Sequence, residues 1–242
     1  MSFTIRPLGL GGMVNERPIM IFDEWLTSIF DHPVTQPEWY WEADTPFWEG
    51  PATTMSKYMT RLFAEAETVL NPFSDAQAAQ GLYAIISNSM AGYPSLLLDK
   101  SVPLRSCLDC VEAIETLFRC YFAERCSPHL SHLDTAETGT PPHINPLNGV
   151  CYMWWDVLPL HGLSRNRPDY PDGPVLDKTI LSVIQNCLKI DSVACQESAV
   201  LGLFEWSPYY NETSKIAEDF LSRNPDIRPE LRAFTLKYLI GI

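Results

Sequence analysis

The feature that most constrains this chain is a recurrence of apolar residues three and four apart, cut at intervals by proline, glycine and asparagine. Such spacing puts one side of an α-helix against a core, whereas a strand would alternate by two. Ile19, Phe22, Trp25, Leu26 and Ile29 predict a helix over 18–30 that Asp31, His32 and Pro33 stop. Tyr58, Met59, Leu62, Phe63, Ala66, Val69 and Leu70 predict a second, from Thr53 or Thr54 to the Asn71-Pro72 break. Ser74 is a good N-cap for a third through Ala76, Ala79, Leu82, Tyr83 and Ile86, because its hydroxyl can accept an otherwise unpaired backbone N–H. Ala91, Gly92, Tyr93 and Pro94 break that pattern. From Ser101, with Pro103 in the first turn, a long helix runs to about Arg125 on Leu104, Leu108, Val111, Ile114, Leu117, Phe118 and Phe122.

In the second half, Asn145 as N-cap and Pro146 as first helical residue open a short apolar helix through Cys151, Tyr152, Trp154 and Trp155, closed by Leu158 and Pro159. A loop over 160–173 leads to four helices near 174–188, 192–206, 211–223 and 229–240. The short links between them favour antiparallel neighbours. The fold class is therefore all-α, built of antiparallel helical hairpins as a HEAT/armadillo-like superhelix or as an irregular helical bundle. A strand over 3–6 is a minor alternative. One helical domain accommodates all 242 residues, with 127–146 as the candidate internal boundary because it gathers Pro128, Gly139, Pro141 and Pro142 among polar residues.

The run Leu147-Asn148-Gly149-Val150-Cys151-Tyr152-Met153-Trp154-Trp155-Asp156, with Pro159 after it, resembles a segment of a bacterial family of uncharacterised helical, HEAT-like proteins. So do Ala194-Cys195-Gln196-Glu197-Ser198-Ala199 and Arg228-Pro229-Glu230-Leu231-Arg232-Ala233, which extend the resemblance over roughly 147–242. It implies helices and no particular activity. Where that family's pattern has histidines around a glycine, this chain has Leu201 and Glu205 around Gly202, so any chemistry those histidines perform is not implied here.

Charge narrows the function classes. Hydrophobic residues at 46% and charged residues at 19% describe a packed protein rather than a disordered one. No apolar run approaches the roughly 20 residues of a membrane helix, and residues 1–17 lack the apolar stretch of a secretory signal. No membrane partner is expected, and the cytoplasm is the expected location. A net charge of −13 argues against nucleic acid, which is held through phosphates by basic faces. A basic protein partner or a small cationic ligand suits it better, and no cofactor is indicated. Over 18–56 there is no Lys or Arg, while Asp23, Glu24, Asp31, Glu38, Glu42, Asp44 and Glu49 supply seven carboxylates.

Within that stretch Trp39, Tyr40, Trp41, Phe47 and Trp48 alternate with Glu38, Glu42, Asp44 and Glu49. Aromatic rings rimmed by charge are typical of contact hot spots, and acidic groups steer a basic partner toward them. Trp39, Tyr40, Trp41, Glu42, Asp44 and Trp48 are the binding candidates of a non-enzymatic acidic interaction module that binds or inhibits a basic protein, an immunity-type protein being one case. Alternatively the rings fold inward and pin an irregular segment to the helices.

A second class is an enzyme or metalloprotein built on a Cys/His cluster or on a pocket near Trp154, Trp155 and Asp156. Cys107, Cys110, Cys120, Cys126, His129 and His132 superficially resemble zinc-ligand spacing, with Cys126, His129 and His132 as the ligands to keep if a metal binds. Against this, Cys107, Cys110 and Cys120 fall inside a helical pattern, where thiols act as small buried hydrophobes. Cys151 or Cys195 would need His143 or His161 beside it to act as a nucleophile. Glu197, Glu205 and Asp156 could serve as acids, or equally cap a helix or pair with Arg228 or Arg232. Gly9-Leu10-Gly11-Gly12 lacks a P-loop lysine and reads as a turn.

Overall fold

In the first helix, α1 (Phe22–Phe30), Glu24 accepts the Ile21 N–H at 3.1 Å, and Phe22, Trp25, Leu26, Ile29 and Phe30 turn inward. The computed structural model describes residues 20–42, 45, 47–134 and 144–240, and all regular structure among them is helical. The strand considered at 3–6 and the glycine turn at 9–12 lie outside the described residues, as do Asp44 and His143.

After α1 the chain is irregular except for one tight turn at Trp39–Trp41. The helix predicted from Thr53 to Leu70 is two: α2 (Ala52–Ala64) and α3 (Ala66–Val69), parted at Glu65, whose backbone leaves the helical region. Before α4 (Asp75–Ile86), Ser74 accepts the Gln77 N–H and Gln77 returns the bond to the Ser74 N–H, a reciprocal cap. A 3-10 stretch, Tyr93–Leu98, precedes α5 (Leu104–Leu117). The long helix expected to Arg125 continues, but through a wider π turn at Phe118–Phe122 before α6 (Ala123–Arg125). There the Ala123 N–H reaches back five residues to the Phe118 carbonyl, and the Cys195 thiol donates to the same oxygen at 3.6 Å. That widening turns Phe118, Tyr121 and Phe122 all inward.

α7 (Leu147–Val157) carries Trp154 and Trp155 into the centre. Trp155 stacks on Phe118 at 5.5 Å, while Trp154 meets Phe63, Phe118 and Phe122 edge-on. The loop expected over 160–173 contains a short helix, α8 (Leu163–Asn166). It is held by the fully buried Asp177 of α9 (Gly173–Cys187), whose carboxylate accepts the Leu163 and Ser164 N–H groups at 2.8 Å each and the hydroxyls of Ser164 and Tyr210. No periodicity announces such a cap, because its acceptor comes from the next helix.

α10 (Val193–Trp206), α11 (Glu212–Arg223) and α12 (Pro229–Ile240) complete the chain, each touching its predecessor. The most extensive contacts join α7 to α10, α2 to α5, α5 to α9 and α4 to α7. α10 can approach α7 closely because Gly202 faces Trp155: a Cβ there would lie 2.8 Å from the indole. One continuous set of buried side chains runs from Phe22 to Tyr238.

Polar groups tie the 127–134 segment to this core. Asn148 of α7 accepts the Ser127 N–H at 2.8 Å and donates to the Ser127 and His129 carbonyls. Glu197 of α10, fully buried, accepts the N–H groups of Ser131 at 2.6 Å and His132 at 3.0 Å. It thus caps a turn rather than pairing with an arginine. Among the described residues no helix is long and apolar enough to cross a membrane.

Candidate functional site

Two helices and the acidic aromatic segment together form a groove of about 530 Å³. α4 contributes Ala76, Ala79, Gln80 and Tyr83, and the start of α7 contributes Pro146, Gly149, Val150 and Met153. Both sets follow the same spacing of three, one and three, so each is a single helical face. Ala76, Ala79 and Gly149 are small, which gives the groove its depth. Val34, Gln36, Glu38, Tyr40 and Trp41 form the third wall, and among the described residues none that lines the groove is cationic.

That wall is held from below. Trp39 is only 8% exposed and its ring lies flat on His32, 3.7 Å between centroids, at the end of α1. His32 is fixed in turn by a 2.9 Å bond to the Ser28 carbonyl, and its own carbonyl accepts from Gln77 of α4. Trp39 and Tyr40 share a small separate core with Ala84 of α4, against which Phe47, Tyr83 and Met90 pack. Thr45 bonds the Trp39 and Glu42 carbonyls and closes the turn between them. Farther along, Trp48 is half-buried against Tyr58, and its carbonyl accepts from the Tyr93 hydroxyl at 3.0 Å.

Trp41 escapes this packing. It is 55% exposed and projects beside Tyr40, 5.9 Å away, which itself stacks on Tyr83 at 5.7 Å. Burial, and next the charge of Glu38, push the Tyr40 hydroxyl well above the ordinary tyrosine value, so it stays a neutral donor. Glu38 is half-buried and touched by the Gln36 amide at 3.3 Å; among the described residues neither Glu38 nor Glu42 pairs with a cation. Of the six binding candidates, then, Tyr40 and Trp41 line the groove, Glu42 is exposed at its edge, Trp39 and Trp48 support it, and Asp44 is outside the described residues. Glu38, Gln80, Tyr83 and Met153 were not among them. Tyr83 belonged to a predicted helical face, and nothing local set Gln80 apart.

The Cys/His cluster does not assemble. Cys107 and Cys110 are buried in α5, Cys107 donating to the Leu97 carbonyl at 3.0 Å, and burial pushes the Cys110 thiol up to about 12. Cys120 is exposed, apart from both. His129 contacts Asp134 at 3.1 Å, and His132 stacks on Tyr152 at 5.7 Å. Cys126 lies against the buried Cys151, which also contacts Cys195; burial raises the Cys151 thiol, which suits packing and not nucleophilic attack. Among the described residues no three His, Cys, Asp or Glu side chains converge as metal ligands. His161 bonds the Trp155 carbonyl, and burial lowers its pKa. Trp154 and Trp155 are wholly core, so the space beside α7 opens at Tyr152 instead, toward Leu201, Phe204 and Phe234.

Compared with protein-family models, curated proteins and solved structures, the chain matches none.

Proposed function

We propose that the chain is a non-enzymatic interaction module whose groove between α4, α7 and the acidic aromatic segment receives a basic segment of a partner protein. The observation that carries this reading is a concave surface lined by aromatic side chains and a half-buried carboxylate, with no cationic side chain among the described lining residues. Ring faces carry the negative lobe of the aromatic quadrupole, so the exposed Trp41 and the half-buried Tyr83 favour an ammonium or guanidinium within about 6 Å. Glu38 and Glu42 add a field that draws a basic surface in and weakens with salt. The net charge of −13 acts in the same direction at longer range. The helices α9 to α12 serve in this reading as a HEAT-like scaffold.

The test is titration of the labelled protein with a short Lys/Arg peptide and with its Glu counterpart, followed by NMR. The basic peptide is expected to shift Trp41 and Tyr83 at low salt, to bind more weakly as salt rises, and to bind Glu38→Gln and Trp41→Ala more weakly than the parent. A basic peptide that leaves Trp41 and Tyr83 unmoved at low salt overturns the reading.

A further inference from the structure

We infer that the side chain this groove selects is arginine, gripped at once by a ring face, a carboxylate and a buried amide. The inference rests on the basic-partner reading above and names the residue that partner presents. Gln80 lines the groove at 9% exposure, and its Oε1 is buried with no hydrogen-bond donor. Buried polar atoms are rarely left so, and each asks for an explanation. A rotation of the side chain that turns this oxygen toward the groove lets an arriving donor supply the missing bond without movement of α4.

The ligand must therefore offer N–H donors as well as charge, and must lie against rings. A guanidinium is a plane with five donors in a fixed fork: its face can rest on Trp41 while its edge serves Glu38 and Gln80 together. A lysine ammonium is a compact, strongly hydrated point with three donors around one axis, and it cannot stack. The molecule already sets an arginine against a ring and a carboxylate twice from its own residues. Arg61 lies over the Phe22 ring at 4.1 Å and bonds Glu65 at 3.0 Å. Arg125 lies over Tyr121 at 5.2 Å and bonds Asp75 at 2.7 Å, with the Asn145 amide on the other Asp75 oxygen. Ring and carboxylate recur in the groove as Trp41 and Glu38, joined there by the Gln80 amide, and among the described residues no lining side chain is cationic.

The experiment uses the full chain and three peptides, Ac-Gly-Gly-X-Gly-Gly-NH2, with X as arginine, lysine or the neutral isostere citrulline, titrated by NMR. Arginine is expected to bind about tenfold more tightly than lysine, the effect of an added charge-assisted hydrogen bond, with citrulline weakest. Gln80→Leu, its fold checked by thermal melting, is expected to bring arginine down to the lysine level while leaving lysine unchanged. Equal binding of arginine and lysine by the parent protein overturns the inference and leaves the basic-partner reading intact, and this comparison requires no variant. Gln80→Leu weakening both peptides alike also overturns it. If neither cationic peptide moves the Trp41 and Tyr83 resonances, both readings fall together.

Discussion

Asp134 and Arg228 stand 94 positions apart in sequence and meet through two parallel hydrogen bonds, Nη1 to Oδ2 at 3.0 Å and Nη2 to Oδ1 at 2.5 Å. The same carboxylate accepts the Leu130 N–H at 2.8 Å, so one residue both closes its own turn and fastens it to the start of α12. Hydrogen bonding from Arg228, ahead of the Leu130 bond and the neighbouring charges, holds the Asp134 carboxyl below the usual aspartate value.

Because the folded value is depressed, this carboxylate's contribution is present above the unfolded value of about 3.9 and is lost as pH falls through the folded one. Asp134→Asn is expected to unfold about 1–2 kcal/mol more easily at pH 7, a figure kept low because both partners are partly exposed. Urea unfolding at stepped pH checks it: the gap between variant and parent should close below about pH 4.

Glu205 has the opposite sign. Burial, followed by the charge of Asp156, raises its carboxyl above the ordinary value, so its ionised form opposes folding. Its favourable contribution is present below the unfolded value and is lost as pH rises through the folded one. Glu205→Gln is expected to be as stable as the parent or more so at pH 7, by up to about 1 kcal/mol, with the difference vanishing near pH 4.

Two glycines in facing helices predict contrasting outcomes. Gly202→Ala drives a methyl into the buried Trp155 ring and is expected to cost about 1–3 kcal/mol. Among the described residues nothing beyond its own helix backbone and chain neighbours lies within 4 Å of the position a Cβ would take at Gly149, so Gly149→Ala in α7 is expected to gain about 0.5–1 kcal/mol. Thermal melts of the two variants distinguish them directly.

The neighbouring tryptophans should separate stability from binding. Trp39→Ala empties the small core against His32 and Ala84 and is expected to cost about 3 kcal/mol or more. Trp41→Ala should change stability by no more than about 0.5 kcal/mol while weakening basic-peptide binding by about 2 kcal/mol. Equal destabilisation by both would contradict the division of roles in this segment.

The helices were legible in the sequence because helix formation leaves a local record. Apolar spacing placed α1, α4, α5, α7 and the last four helices, and Ser74 announced its own cap. The breaks that spacing missed have distant causes: the π turn is shaped by packing on Trp154 and Trp155, and α8 is capped by Asp177 from beyond the loop. The acidic aromatic segment was recognisable as a cluster, yet composition assigned Trp39 and Trp41 the same prospects. Tertiary contact divided them, because His32 and Ala84 cover one ring while the other is left 55% exposed. Likewise Ala76, Ala79, Gln80 and Tyr83 form a face by their spacing alone, but whether that face meets core or solvent depends on α7, some seventy residues on. Periodicity is fixed by each segment's own 3.6-residue turn, whereas burial is fixed by what else arrives, and only the assembled chain sets a groove beside Gln80.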